Sequence, residues 1–320
     1  MTGLGKQTFR HEALFYSGRE GFLAGVVPFV RDAVSAREPV LVVVGEEKIE
    51  SLKSELNGEG DGVLFADMAG LGRNPACIIP AWREFVAEHG AEGRPIRGVG
   101  EPIWAGRSEP ELVECHHHES LLNLAFAETP SFWLLCPYDA AALGKAVLDK
   151  AQCTHPVIAR DDARHYSSRY IPPESGPGPF DDALPEPMAE PEELGFHRHG
   201  LREARTFVAQ RAKRAGLAAE RISDLVLAVS ELATNSVLHG GGGGTVRLWR
   251  ERSTFICEIR DAGRLDEPLV GRERPTTDRA SGRGLWLVNH LCDLVQLRSL
   301  PEGCVARVHM GLSQGSPRFE

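Results

Sequence analysis

Several features are scarce or absent in this sequence of 320 residues, and each absence excludes a class of protein. No stretch approaches the about 20 consecutive apolar residues that a membrane-spanning helix needs. No Gly-x-x-x-x-Gly-Lys-Ser/Thr motif occurs, which excludes a conventional phosphate loop. The cysteines number seven and contain no Cys-x-x-Cys pair, so they indicate reduced thiols rather than a disulfide framework.

Positive charge is also in deficit, with 36 Lys and Arg against 45 Asp and Glu. An acidic surface is repelled by a nucleic-acid backbone and by an anionic membrane, so neither is expected as a direct partner. The N-terminal residues are polar and do not form a secretory signal. We therefore expect a cytoplasmic globular protein.

Residues 171–195 mark the clearest change of composition, with seven prolines, seven acidic residues and no Lys or Arg. Proline removes backbone donors and like charges repel, so such a stretch is expected to stay extended. A long surface loop within one domain is the alternative, but loops of this length are uncommon in compact folds. The sequence thus predicts a domain over residues 1–170, a linker over 171–195 and a second domain over 196–320.

Strand-like and helical patterns alternate upstream of this stretch. Short apolar runs at residues 40–44, 63–66, 96–99 and 132–136 are separated by helical spacing at about 19–36, 79–89, 109–127 and 139–151. Alternation of this kind predicts an α/β fold with a parallel sheet that helices cover on both faces.

The order of elements differs downstream. Helical patterns at 201–215 and 219–239 precede strands at 245–251 and 255–261, and a helix at 284–292 precedes strands at 294–300 and 304–310. This order predicts an α/β sandwich, with helices packed on one face of a mostly antiparallel sheet.

The helix predicted over residues 219–239 carries three polar side chains in register. Glu231, Asn235 and His239 are spaced i, i+4 and i+8, so they share one face, next to a buried stripe that ends at Ser236 or Val237. An amide oxygen suits Mg²⁺, and a carboxylate one turn away could accept a proton from a hydroxyl. A solvated helix face is an equally good interpretation of these three residues alone.

Two later segments favour a ligand site. Asp261-Ala262-Gly263 places a carboxylate at a strand end before a tight turn, where it could accept a hydrogen bond from an exocyclic amine. Ser281-Gly282-Arg283-Gly284 leads directly into an apolar helix, and exposed amides at a helix start favour anions.

These three motifs together resemble the N, G1 and G2 boxes of the GHKL ATPases, and more narrowly the bacterial anti-sigma-factor serine kinases. The resemblance covers residues 196–310 and implies a Bergerat-type ATP site with a lid over residues 264–280. The G1 segment departs from the fuller Asp-x-Gly-x-Gly form, since Arg264 and Leu265 follow Gly263.

The resemblance also implies roles for individual residues. Asn235 would hold Mg²⁺, Asp261 would bind the adenine amine, Gly263 would let the base approach, Gly282 and Gly284 would cradle phosphates, His239 would lie among the nucleotide-binding residues, and Glu231 would be the catalytic base.

The N-terminal part resembles a MEDS domain, a sensory domain of bacterial and archaeal regulators that is similar to a RecA-type fold. The resemblance rests on four segments, residues 15–18, 100–104, 119–123 and 135–139. A RecA-like ATPase would place its phosphate loop after residues 40–44, where this chain has Gly45-Glu46-Glu47-Lys48. Because two acids would repel phosphate, we expect a catalytically inactive sensory domain that responds to a small molecule or a protein.

The run Cys115-His116-His117-His118-Glu119 permits two sharper interpretations. A metal site would need Cys136, Cys153 or His155 as well, and consecutive helical histidines point about 100° apart. A phosphoacceptor His118, as in a sensor histidine kinase, would sit next to the ATPase domain rather than behind a strand, a helix and the acidic stretch. A polar helix face is the favoured interpretation.

The sequence as a whole predicts a sensory anti-sigma-type regulator that uses Mg–ATP to phosphorylate a serine on an anti-sigma antagonist and that sequesters a sigma factor. The resemblance also suggests a kinase-domain homodimer. The alternatives are a non-catalytic ATP-binding module for partner capture and a histidine-kinase-like sensor.

Overall fold

The computed structural model describes residues 9–160, 163–176, 178, 180–275 and 282–312. The chain forms two compact units, residues 1–176 and residues 177–320. Among the described residues, no helix combines the length and the apolar character needed to cross a bilayer.

A seven-stranded sheet forms the centre of the first unit, with strand order β3-β2-β4-β5-β1-β6-β7. Six neighbouring strands run parallel and β7 is antiparallel to β6. In β2, successive residues Val42, Val43 and Val44 are all buried, so both faces of the sheet are covered there. The strands are β1 (Arg10–Tyr16), β2 (Val40–Val44), β3 (Val63–Asp67), β4 (Ile96–Gly100), β5 (Phe132–Asp139), β6 (Val157–Arg160) and β7 (Ala163–Tyr166).

Six helices follow or precede these strands. They are α1 (Gly18–Ser35), α2 (Glu46–Leu56), α3 (Met68–Leu71), α4 (Ile78–His89), α5 (Glu109–Ala125) and α6 (Lys145–Thr154). Helix α5 begins with a capping box, in which Glu111 accepts hydrogen bonds from both the backbone and the hydroxyl of Ser108. This fixes where α5 starts and therefore which of its side chains face the sheet.

The second unit is a five-stranded antiparallel sheet with strand order β11-β12-β10-β9-β8. Its elements are β8 (Glu192–His197), α7 (Leu201–Arg214), α8 (Ala219–His239), β9 (Gly243–Glu251), β10 (Thr254–Asp261), α9 (Arg283–Leu291), β11 (Leu294–Leu300) and β12 (Gly303–Gly311). Residues Val229 and Leu232 of α8 and Val288 of α9 share one apolar core with Cys257 and Ile259 of β10. The helices therefore cover one sheet face, and the predicted α/β fold class is confirmed for both parts of the chain.

The other sheet face of the second unit holds a buried carboxylate. Glu258 is fully buried and accepts hydrogen bonds from Arg247 and Arg260 at 2.7 Å and from Arg307 at 2.7 Å. Burial by itself raises the pKa of Glu258, but attraction to Arg307 and hydrogen bonds from Arg247 outweigh it, so the net pKa is lowered. Glu258 is therefore an ionised centre that ties β9, β10 and β12 together.

The described part of residues 171–195 differs from the extended linker that the sequence predicts. Phe180 is buried in the core of the second unit, and its carbonyl accepts a hydrogen bond from Ser299 at 2.9 Å. Glu186 pairs with Arg247 and Arg260, and β8 begins at Glu192. Glu186 thus binds arginines of the sheet, and the second compact unit begins at residue 177.

Candidate functional site

Helix α8 carries polar side chains on two adjoining faces. Glu231 and Asn235, one turn apart, are both half-buried, whereas Leu232 between them is buried against the sheet. Spacing by four residues places the carboxylate and the amide one above the other on the helix surface. The side chain of His239, one further turn along, is exposed at the end of α8.

The start of α9 approaches Glu231 and Asn235 so closely that a side chain at residue 284 would displace the Glu231 carboxylate. A Cβ atom there would lie 2.8 Å from Oε2 of Glu231 and 3.7 Å from Nδ2 of Asn235. Glycine at 284 therefore allows the first turn of α9 to contact the polar face of α8. The structure brings Gly284 next to Glu231 and Asn235, from which it is distant in sequence.

Gly282 forms the N-cap of α9 and has a φ of +91°, a conformation that favours glycine. The space where its Cβ would lie is open for 4 Å. The first amides of a helix have no partner within it and carry the positive end of the helix dipole. This is an arrangement that can receive an anion beside Glu231 and Asn235.

Asp261 ends β10, and both of its carboxylate oxygens are oriented by the protein. Oδ2 accepts a hydrogen bond from the Ser236 hydroxyl at 2.6 Å, and Oδ1 accepts one from the Gly263 amide at 2.8 Å. The carboxylate is half-buried, and a carboxylate oxygen can accept more than one hydrogen bond. It can therefore accept a further donor from a ligand while it remains fixed.

Gly263 and the end of α8 are in backbone contact. A Cβ atom at residue 263 would lie 2.8 Å from Oδ1 of Asp261 and 3.1 Å from both the Gly240 Cα and the His239 carbonyl oxygen. Only glycine fits there without displacing the backbone. The contribution of His239 to this contact comes from its carbonyl, not from the imidazole that the helical spacing singled out.

The first part of the expected lid is attached to neighbouring elements. The Leu265 amide donates to the Ser299 hydroxyl at 2.9 Å, and the Asn289 side chain of α9 donates to the Gly271 carbonyl at 2.8 Å. Residues 276–280 of the lid, and Ser281, lie outside the described residues. The segment after β10 is thus held by β11 on one side and by α9 on the other.

Two residues of this site were not singled out by the sequence. Ser236 was assigned to the apolar stripe, but its hydroxyl binds Asp261, and Asn289 was taken as part of an apolar helix. Both are buried, and a polar residue on a buried helical stripe needs a hydrogen-bond partner. This requirement could have identified Ser236 and Asn289 from the sequence.

In the first unit, the segment where a phosphate loop was considered forms a closed ion pair. The Lys48 amine lies 2.6 Å from both carboxylate oxygens of Glu101 and 2.7 Å from the Tyr16 hydroxyl, which itself donates to Glu101 at 2.6 Å. Burial, as the largest cause, raises the pKa of Glu101, and the attraction of Lys48 opposes it. The only lysine of this segment is thereby neutralised by a protein carboxylate.

The sequence favours a polar helix face for the histidine run on α5, but the structure buries most of that run. Cys115, His116, His118 and Glu119 are all buried. Burial is the largest cause that lowers the pKa of His116 to about 4, so that imidazole is neutral at physiological pH. The run therefore faces the interior of the first unit.

Two family models match separate parts of the chain. Residues 10–156 match the family described as MEDS, the methanogen/methylotroph, DcmR sensory domain, and residues 197–310 match the histidine kinase-like ATPase domain. No curated protein matches the chain.

Two solved structures match parts of the chain. One is the crystal structure of the RsbU and RsbW domains of Rv1364c from Mycobacterium tuberculosis, with 18% identity, a TM-score of 0.30, and coverage of 40% of this chain and 35% of that chain. Another is the Acinetobacter baumannii histidine kinase AdeS, with 14% identity, a TM-score of 0.24, and coverage of 38% of this chain and 68% of that chain. The present chain thus spans about a third of the length of the first of these structures. The two family matches show that the chain carries an N-terminal MEDS domain and a C-terminal histidine kinase-like ATPase domain.

Proposed function

We propose that the C-terminal unit binds Mg–ATP and transfers a phosphoryl group to a serine of an anti-sigma antagonist. The observation that carries the proposal is the convergence along α8: Glu231 and Asn235 meet Gly284, and Asp261 is held by Ser236 one helical step away. The motifs that supply these residues resemble those of the anti-sigma kinases. The chemistry needed is mainly positioning and charge compensation, which a sparse polar set can provide.

The two halves of the site would have separate tasks. Asp261 would accept a hydrogen bond from the exocyclic amine of adenine, because both its oxygens are already oriented by Ser236 and Gly263. Gly263 would let the base lie against the backbone, since a side chain there would collide with Asp261. The glycines at 282 and 284 would allow phosphate oxygens to approach the amides at the start of α9.

Asn235 and Glu231 would act at the phosphate end. The Asn235 carbonyl oxygen would be the protein ligand of Mg²⁺, which when bound offsets the negative charge of the phosphates. Glu231 would accept the proton of the attacking serine hydroxyl. The close contact of Gly284 with Glu231 supports this role, because it sets the carboxylate beside the helix start that would receive the phosphates.

The N-terminal MEDS domain would sense a small molecule or a protein and alter the capture of a sigma factor by the C-terminal unit, which would act in the cytoplasm and could pair with a second copy. Nucleotide chemistry in the first unit is disfavoured by the Lys48–Glu101 ion pair. A histidine-kinase-like mechanism through His118 is disfavoured because that side chain is 1% exposed and out of reach of an incoming phosphoryl group.

The test compares three variants of the full chain: Asn235→Ala, Glu231→Gln and, as a matched control, Glu220→Gln at an exposed position in the first turn of α8. Each is titrated with Mg–ATP and assayed with labelled ATP and a candidate antagonist. We expect Asn235→Ala to lose nucleotide binding and transfer. Glu231→Gln should keep binding and lose about 10²–10⁴-fold in transfer rate, and Glu220→Gln should resemble the parent.

The product distinguishes the alternatives. Acid-stable phosphoserine on the antagonist supports the proposal. Nucleotide binding without transfer to any candidate would replace it with a partner-capture module, and an acid-labile phosphate on this chain would replace it with a histidine-kinase-like sensor. Loss of ATP binding in Glu231→Gln but not in Asn235→Ala would show that the two roles are wrongly assigned.

A further inference from the structure

Four buried side chains of the first unit converge on one point. They are His11 of β1, Glu119 of α5, Cys136 of β5 and His155, which follows α6. Each offers one ligand atom, these atoms all lie within 4.8 Å of one another, and every one of the four residues is at most 2% exposed. The proposed nucleotide site and the Lys48–Glu101 pair share no residue with this group.

The spacing within the group is close to that of a tetrahedral metal site, and small side-chain shifts would complete it. Oε2 of Glu119 lies 3.0 Å from Nε2 of His11, 3.2 Å from Nε2 of His155 and 3.5 Å from Sγ of Cys136. The Cys136 sulfur lies 3.3 Å from Nε2 of His11. Zinc bonds of about 2.0–2.3 Å in a tetrahedron imply ligand-to-ligand distances of about 3.3–3.8 Å.

The His11 imidazole is oriented by Asn123, and the direction of that hydrogen bond can be deduced. The Asn123 amide nitrogen donates to the carbonyls of Thr154 at 2.8 Å and Glu119 at 3.4 Å, which directs its oxygen towards His11. Nδ1 of His11, 3.1 Å from that oxygen, must therefore donate. In the neutral imidazole the lone pair then lies on Nε2, the atom that faces the group.

The His155 imidazole is oriented in the same way. Its Nδ1 lies 2.8 Å from the Ala151 carbonyl, which can only accept, so this nitrogen carries the proton. Its Nε2 is fully buried and makes no hydrogen bond of acceptable geometry among the described residues. A donor on the far nitrogen and a lone pair on the near nitrogen, which faces the group, is the arrangement of metal-ligating histidines, whose second nitrogen binds a carbonyl or carboxylate.

We propose that His11, Glu119, Cys136 and His155 form a closed site for a zinc-class divalent cation. The donor set of two imidazoles, a carboxylate and a thiolate suits zinc better than the oxygen-seeking Mg²⁺ or Ca²⁺. On binding, the Cys136 S–H bond breaks, the proton leaves to water, and a sulfur–metal bond forms. The two anionic ligands then balance the two positive charges, so the buried site is neutral.

The site would be structural rather than catalytic, because four protein ligands fill a tetrahedron and leave no open position. It would join the central strands β1 and β5 to α5 and to the end of α6. Residues from 11 to 155 contribute, so cation binding would require the first unit to be folded and would stabilise it.

The test uses the full chain without a polyhistidine tag, and two variants that each remove a buried thiol. Cys136→Ser alters the site, and Cys115→Ser is the control, since Cys115 is equally buried but donates to the Pro102 carbonyl. We expect the dialysed protein to retain one zinc per chain by elemental analysis. We also expect protein refolded with Co²⁺ to show a thiolate-to-cobalt absorption band.

Cys136→Ser should lose the band and bind zinc more than about 100-fold more weakly, while Cys115→Ser should keep both. If Cys136→Ser does not fold, the test uses the parent protein alone. Parent protein that is unfolded and refolded with a chelator should have a lower Tm than before, and added zinc should restore that Tm. A folded parent that retains no zinc and gives no thiolate–cobalt band would overturn the proposal. Equal effects of the two cysteine variants would overturn it as well.

Discussion

Removing the Ser236 hydroxyl tests how the protein orients Asp261. In Ser236→Ala the carboxylate loses the 2.6 Å hydrogen bond to Oδ2 and keeps only the Gly263 amide on Oδ1, so it can rotate. A hydrogen bond to a charged group contributes about 1.5–3 kcal/mol. Because Asp261 is half-buried and water can replace part of the interaction, we expect the lower end, about 1.5 kcal/mol, or slightly more than a tenfold rise in the Kd for ATP.

The matched control is Thr234→Ala, which removes a hydroxyl from the same helix two positions away. Its Oγ1 donates at 2.7 Å to the Ser230 carbonyl within α8 rather than to Asp261. Calorimetric titration with Mg–ATP measures both variants, and urea unfolding checks that both are folded. An unchanged Kd in Ser236→Ala, or equal rises in both variants, would refute the assignment of Ser236 as the residue that positions Asp261.

Three further outcomes are expected from other parts of the chain. Glu258→Gln should destabilise the second unit by about 3–5 kcal/mol at pH 7 in urea unfolding. The folded-state pKa of Glu258 is lowered, so its contribution to stability is present above the ordinary carboxyl pKa of 4.5 and is lost as pH falls through the folded-state pKa. The stabilities of parent and variant should therefore converge at low pH. A fragment of residues 177–320 should unfold at a higher urea concentration than one of residues 196–320, which lacks the start of β8 and the Glu186 ion pairs, and equal midpoints would restore the original linker prediction. Gly263→Ala should abolish ATP binding through its collision with Asp261, whereas Gly282→Ala should cost only about 1 kcal/mol of backbone strain in chemical denaturation, because the space beside it is open.

The sequence predicted the fold class where apolar periodicity was uninterrupted. The run at residues 40–44 is wholly apolar and forms β2 over the same residues. The central strand β1 was missed because His11 and Glu12 interrupt its pattern, although both are buried. Glu12 is paired with Arg10 and Arg164, a tertiary contact that local periodicity does not report.

Strand β8 was missed for a related reason. Its acidic residues were grouped with a proline-rich stretch and interpreted as mutually repelling. In the folded chain Glu192 binds Arg211 and Glu193 binds Arg247, and both arginines come from elements further along the sequence. Composition gives the charge of a segment, but the partner of each charge depends on the fold.

For the candidate site, the motifs located the glycines and the carboxylates but not the residues that orient them. Helical spacing alone places Ser236 on the buried stripe and does not distinguish it from its apolar neighbours. For the buried group, the sequence offered Glu119, Cys136 and His155 among possible metal ligands but favoured a polar helix face, and it missed His11, because the members have no regular interval between them.

The position of the site along one helix has a consequence for length changes in this chain. Glu231 and Ser236 lie five residues apart on α8, with one facing α9 and the other facing β10. Inserting or deleting a single residue between them would rotate one group by about 100° relative to the other and shift it by about 1.5 Å. Related chains should therefore vary in the identity of residues 232–234 more freely than in their number, and a natural one-residue gap at this point would mark a member that lacks the proposed nucleotide site.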